Sequence, residues 1–114
     1  MLPKENRLKK KKDFEKIFKK GKGFKESFLF LKILKNNLKI SRFGFVVSGK
    51  VSKKATVRNK TKRKLRETIR INLCRIKPGF DGIFLVNKGL EVKKSPEIKE
   101  IIDNLLKKAK LIKK

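Results

Sequence analysis

The sequence has no histidine, no tryptophan, no tyrosine and one cysteine. Without His, imidazole acid–base catalysis and imidazole metal ligation are excluded. The lone Cys74 cannot close an internal disulfide or build a cysteine-rich zinc cluster, which fits a reducing cytoplasm. It falls in a partly apolar helical stretch and is expected to be a small buried hydrophobe rather than a reactive thiol. No apolar run approaches the roughly 18 residues a membrane span requires. Met1 to Arg7 carries positive charge but no apolar core behind it, so no secretory signal is expected, and neither is a membrane partner. Acidic residues are scarce: 10 Asp+Glu stand against 36 Lys+Arg, a net charge of +26.

What is present starts with that imbalance. A compact body carrying it repels itself, and solubility alone does not require such an excess. A lysine-rich surface of the ordinary kind carries matching Glu, and this one does not. A polyanionic partner is the better account, nucleic acid before an anionic membrane. The 114 residues suit one domain, 1–114, and 38% of them are apolar, enough for a modest core. No repeat or Gly/Ser/Pro linker divides the chain.

Residues 1–11 read as a basic, extended N-terminal segment. Residues 12–20 follow as a helix: Phe14, Ile17 and Phe18 recur at helical spacing, with Gly21 or Gly23 as the stop. Phe28 to Leu34 is β-prone, and Asn36-Asn37 signals a turn. Residues 42–48 alternate, with Phe43, Phe45 and Val47 on one face and Gly44 and Val46 on the other. Residues 56–76 carry an apolar stripe of Leu65, Ile69, Leu73 and Ile76, closed by Pro78-Gly79. Residues 82–87 form an apolar run typical of a strand buried on both faces. Ser95 is the expected cap of a last helix with Pro96 in its first position, and Ile98, Ile101, Ile102, Leu105, Leu106, Ala109 and Ile112 as its apolar face. Lys107, Lys108, Lys110, Lys113 and Lys114 lie where a helix C-terminus favours cations. The predicted class is α+β, an α/β sandwich in the order α-β-β-(β)-α-β-α, with room for an additional strand around residues 37–41. The helix between the strands at 42–48 and 82–87 permits a crossover and hence a mixed sheet.

The functional constellation lies at the start of the long helix. Arg58, Lys62 and Arg66 form one row at i, i+4, i+8, and Asn59, Arg63 and Arg70 a neighbouring one. Each like-charged pair at this spacing costs a few tenths of a kcal/mol, roughly 0.2–0.5. Phosphate contacts offset that cost, because each neutralised phosphate releases condensed counterions, and Arg adds a planar fork for bidentate gripping. Lys50, Lys53 and Lys54 carry the strip to the helix N-terminus. Most of the nine Phe read as core; a few that line a cleft would let unpaired bases stack without sequence choice.

Several motifs, in chain order, carry a resemblance. Ala55-x-x-Arg58-Asn59-Lys60-x-Lys62-Arg63-x-x-Arg66-Glu67 resembles the Arg-Asn-Arg signature helix of the bacterial ribonuclease P protein family. Val46-Val47-Ser48-Gly49-Lys50-Val51 resembles the strand and loop leading into it. Arg7-Leu8, Asp13-Phe14, Ile17-Phe18, Phe80-Asp81-Gly82-Ile83 and the basic Leu-rich C-terminal helix also agree, so nearly the whole chain is covered. The resemblance implies a fold like domain 2 of a small-subunit ribosomal protein, with a left-handed β-α-β connection where general handedness rules favour the right hand. It implies a subunit that assists a catalytic RNA in hydrolytic, Mg²⁺-dependent removal of the 5′ leader from precursor tRNA. The metal would be held mainly by the RNA, and no further protein partner would be needed. The chain alone is not expected to cleave, and no residue of it is expected to be catalytic or a metal ligand. Arg58, Asn59, Lys62, Arg63 and Arg66, with Lys50, Lys53 and Lys54, would contact RNA. Phe14, Phe18 and Phe30 would line the leader cleft, with Phe28 and Leu31 competing for the place of Phe30. Thr61 stands where the family usually has an aliphatic residue, an expected slight weakening of helix packing. A structural RNA-binding protein of the same fold would need the basic helix but no cleft. A protein-only nuclease is disfavoured by the missing acid–base and metal constellations.

Overall fold

The computed structural model describes residues 2–113; Met1 and Lys114, the ends of the expected domain and basic tail, lie outside the described residues. Three helices, α1 (Lys11–Lys20), α2 (Ala55–Asn72) and α3 (Ser95–Lys108), enclose four strands, β1 (Lys22–Glu26), β2 (Leu29–Lys35), β3 (Arg42–Val46) and β4 (Phe80–Val86). The sheet order is β1-β2-β4-β3, antiparallel except for the parallel pair β3 and β4. That parallel pair makes α2 the crossover helix. The expected mixed α+β sheet is present.

Pleating sorts the strands into two layers. Leu29, Leu31 and Ile33 of β2, Phe43 and Phe45 of β3 and Phe84 of β4 face α2 and α3 in the main core. Phe84 packs 5.9 Å from Phe43 and stacks at 5.5 Å on Phe45. Ile83, Leu85, Leu34 and Val46 point the other way, where Ile17 and Phe14 of α1 and Leu8 cover part of the surface. The apolar run of β4 is buried on both sides because β4 lies between β2 and β3 and under helices on each face.

Several details differ from the sequence reading. The additional strand is β1, not residues 37–41. The latter form a turn: Asn37 takes φ +60°, Asn36 Oδ1 accepts from Leu38 N at 2.8 Å, and Asn36 Nδ2 donates to the Ile40 carbonyl at 3.1 Å. β1 escaped notice because it is a short, charged edge strand whose Phe24 is its one apolar side chain facing the core. Helix α1 begins one residue early, at Lys11. The N-terminal segment is not uniformly extended: residues Lys4–Asn6 make a 3-10 turn, and Leu2 and Leu8 are buried, in different layers. Ser95 lies inside α3 and caps nothing, since Lys94 holds the cap position without a side-chain bond. Ile112 lies beyond α3, paired across from Ile76. Cys74 is exposed, because α2 ends at Asn72 and a 3-10 turn, Leu73–Arg75, rotates it outward. Thr61 is buried, yet its hydroxyl donates to the Val57 carbonyl at 2.9 Å and is not orphaned in the packing.

One polar cluster ties the layers together. Asp81, buried at the start of β4, accepts from Arg42 Nε at 2.8 Å, from Arg42 Nη2 at 2.6 Å and from Asn36 Nδ2 at 2.8 Å. Arg42 also reaches Asp13 of α1 at 3.6 Å. Its bidentate bond to Asp81 raises the guanidinium pKa further above its ordinary value, against the opposing effect of burial. Asp81→Ala takes the bidentate acceptor from a half-buried guanidinium and one of two acceptors from the Asn36 amide. It is expected to destabilise the chain by about 2–4 kcal/mol in urea unfolding followed by circular dichroism. A loss under roughly 0.5 kcal/mol, the size of an exposed surface pair, would contradict this role.

Candidate nucleic-acid interface

The basic strip begins in the loop between β3 and α2. Val51 is buried in the main core and pins the loop. Backbone N–H groups of Lys50 and Lys54 donate to the hydroxyls of Ser48 and Ser52 at 3.3 and 3.2 Å. These local bonds shape the turn and leave the Lys50, Lys53 and Lys54 side chains exposed. Arg58 Nη1 donates to the Ser52 carbonyl at 2.9 Å, fastening the first turn of α2 to the loop.

Along α2, the stripe of Leu65 and Ile69 is fully buried, which turns the cationic rows outward. Asn59 and Arg63 are exposed on the crest; Lys62 and Arg66 are half-buried on the flank. Among the described residues, no carboxylate lies within ion-pair distance of Arg58, Lys62, Arg63 or Arg66. Arg70 departs from its expected place in that cationic row: it is paired with Glu67, with Arg70 Nε 3.1 Å from both carboxylate oxygens. That bond holds the Glu67 carboxyl below its ordinary pKa and raises that of Arg70.

The second surface is the groove beside α1. The helix crosses the sheet: the Phe14 ring lies over Gly44 of β3, and the Phe18 carbonyl accepts from Lys32 Nζ of β2 at 2.5 Å. A Cβ on Gly44 would meet the Phe14 ring at 2.5 Å, so the bare glycine lets the ring sit down on the strand. Beyond α1, Phe30, Leu85 and Val46 pair across β2, β4 and β3 as one half-buried row on the same face. Phe18 is 41% exposed on the flank of α1, beside Lys12, Lys16, Lys19 and Lys20.

The register separates the three candidates on β2. Leu31 is fully buried in the main core on the opposite face. Phe28 packs on Gly89, whose φ is +118°, with Lys93 Nζ 5.2 Å above its ring, and so holds the loop before α3. Phe30 alone of the three lies on the α1 face. The two surfaces meet at Arg66. It lines a hollow of about 250 Å³ with Arg7, Lys9, Phe14 and Gly44, and a second of about 410 Å³ with Asn59, Arg63 and Glu67. Arg7 and Lys9 join the site; the sequence reading counted Arg7-Leu8 toward the resemblance but gave neither residue a contact with RNA. Their place follows from the bridge of Arg7 to Phe43 on the β3 edge.

The carboxylates do not suit a magnesium cage. Asp13 and Asp81 face Arg42, Glu26 faces Lys108, and Glu97 faces Lys93. Among the described residues, no three Asp, Glu or Cys side chains gather in metal-binding geometry. No helix among them is long and apolar enough to cross a membrane.

The family model for ribonuclease P matches residues 2–110. The chain belongs to the ribonuclease P protein family. The ribonuclease P protein component of Clostridium botulinum is 39% identical over 107 residues, covering 93% of this chain and 96% of that one. That of a Pseudanabaena species is 39% identical over 113 residues, covering 98% and 97%. Among solved structures, the RNase P protein of Thermotoga maritima superposes with a TM-score of 0.82 at 38% identity, covering 90% of this chain and 96% of that chain. The Staphylococcus aureus RNase P protein gives 0.87 at 28% identity, covering 95% and 98%. Ribonuclease P protein components serve a ribonucleoprotein nuclease that processes tRNA, and the α+β architecture described above is theirs.

Two predictions follow from this geometry. Gly44→Ala should cost about 1–3 kcal/mol through overpacking against Phe14. Most of that cost should vanish in a Phe14→Leu background; equal costs in both backgrounds would deny the contact. The second concerns pH. The depressed Glu67 contributes stability above its ordinary pKa, lost on acidification; the raised Arg42 and Arg70 contribute at all pH values below strong base. With no His in between, unfolding free energy should stay flat from about pH 5.5 to 7.5. A step in that window in denaturant titrations would refute this.

Proposed function

We propose that this ribonuclease P protein component grips the catalytic RNA with the α2 crest and its preceding loop, and holds the single-stranded 5′ leader of precursor tRNA in the groove between α1 and the sheet. Arg58, Lys62, Arg63 and Arg66, with Lys50, Lys53 and Lys54, neutralise phosphates, and Asn59 offers an amide to a phosphate, sugar or base edge. Phe14, Phe18 and Phe30 supply apolar faces for leader bases. The observation that carries this reading is Arg66, which lines both hollows and so joins ridge to groove. RNA bound along the one is thereby delivered to the other.

In this reading the chain assists and the RNA carries the chemistry. The product is a mature tRNA with a 5′-phosphate, and Mg²⁺ is held mainly by the RNA. Asp13, Glu26, Glu67, Asp81 and Glu97 are engaged in ion pairs, and the sequence contains no imidazole to move a proton.

The deciding assay is cleavage of precursor tRNA at low Mg²⁺ by a bacterial ribonuclease P RNA, with and without the chain. Rescue by the chain is expected; its absence would overturn the reading, and cleavage by protein alone would reassign the chemistry. Arg63→Ala or Arg66→Ala should make the log-log salt dependence of RNA affinity shallower by roughly one unit per lost phosphate contact. Phe18→Ala, folded by circular dichroism, should weaken leader-bearing substrates by about 1–3 kcal/mol and spare mature tRNA. Equal loss for both would assign Phe18 to packing instead.

A further inference from the structure

The crest of α2 has a second flank, which the proposed function leaves idle. On the side away from Phe14, α2 and the first turn of α3 enclose a groove of about 600 Å³, lined chiefly by Arg63, Lys64, Glu67, Ile71, Pro96 and Lys99. That volume falls in the range of small-molecule sites, about 300–1,000 Å³. Its floor is apolar. Ile71 is 57% exposed, although it follows Arg63 and Glu67 in the same i, i+4, i+8 row and has no core to fill. A β-branched side chain gives a helix crest neither propensity nor solubility.

The rim is cationic. Arg63 and Lys99 are exposed, and Lys64 Nζ, though it donates to the Lys93 carbonyl at 3.2 Å, stands beside them. The one carboxylate, Glu67, is engaged by Arg70. Arg63 also lines the hollow on the other flank, so the groove continues the proposed RNA contact over the crest.

A duplex backbone presents phosphates and sugars to a protein surface and would leave Ile71 and Pro96 uncovered. An unpaired nucleotide matches both parts: its base face covers the apolar floor while its phosphates meet the rim. We infer that the α2–α3 groove is a docking site for a single extruded nucleotide of the catalytic RNA, stacked between Ile71 and Pro96 with its phosphate held by Arg63 and Lys99. This rests on the proposed reading of the α2 crest as an RNA contact. It places the crest inside a bend of the RNA, with strand on both flanks.

The composition supplies the test. With no Trp or Tyr in the chain, Ile71→Trp yields a single emitter at the groove, and Leu38→Trp, in the exposed turn between β2 and β3, a control. Each variant is titrated with a bacterial ribonuclease P RNA while affinity is measured separately by filter binding. Base stacking should quench the Ile71→Trp emission by roughly half or more and protect it from acrylamide, leaving the Leu38→Trp emission accessible. Tight RNA binding with an unquenched, accessible Ile71→Trp emission would overturn the inference and leave the proposed function standing. A blue shift without quenching would mean that something other than a base covers the groove, and would also overturn it. Failure of the unaltered chain to bind the RNA would sink both. Where the bulky ring itself impairs binding, Ile71→Asp decides: a loss of about tenfold in RNA affinity with an unchanged circular dichroism spectrum is expected, and unchanged affinity refutes the site.

Discussion

Everything in this molecule is arranged around a central strand that is covered on both faces. β4 sends Phe84 into the layer under α2 and α3 and Ile83 into the layer under α1, and both are fully buried. A strand of this kind needs neighbours on both edges and helices on both sides. The parallel partner β3 then requires a crossover, and the crossover is α2. Its apolar stripe is fixed against the sheet by Leu65 and Ile69, so its cationic rows have nowhere to point but outward. The opposite face is only partly covered, because α1 is ten residues long, and the Phe30, Leu85 and Val46 row remains half-open. Ridge and groove are two consequences of one buried strand.

The charge sets a second condition. A net +26 held within a radius of gyration of 13.1 Å stores self-repulsion that the core must overcome. Three of the acids tie elements of the fold together. Asp81 and Asp13 bind Arg42 at the junction of α1, β3 and β4, and Glu26 ties β1 to Lys108 of α3. Among the described residues, the ridge cations Arg58, Lys62, Arg63 and Arg66 receive none. An anion that binds them removes repulsion as well as making contacts, so binding and folding stability are coupled by mass action.

How far the sequence could be read depended on how strongly each segment is patterned. The stripe of α2, the alternation of Phe43 to Val47 and the unbroken run in β4 are set by burial, and each was legible. β1 was not, because a five-residue edge strand that faces water with Lys22 and Lys25 and has Phe24 as its one large apolar side chain carries no period-2 apolar signal. Cys74 misled because the stripe continues to Ile76 while the helix does not: the 3-10 turn after Asn72 keeps Ile76 in the core and swings Cys74 out. For the candidate site, the ridge was visible in the spacing of its own cations. The position of Phe30 was not, because one residue of register sends a strand side chain to the other face. Only the pairing of Phe30 with Leu85 separates it from Leu31.

The same register argument explains why groove and ridge share a corner instead of lying on separate faces. β3 is an edge strand, and its Gly44 is where the Phe14 ring descends from α1. The segment containing Arg7 and Leu8 runs along that edge, with Leu8 N donating to the Phe43 carbonyl at 2.9 Å. The edge is thus closed to strand addition by the chain's own N-terminal residues, which bring Arg7 and Lys9 to the side of Arg66. A larger residue at position 44 would lift Phe14, widen the edge and separate Arg66 from the groove. Continuity of the proposed RNA path across the molecule therefore turns on the absence of one side chain in β3.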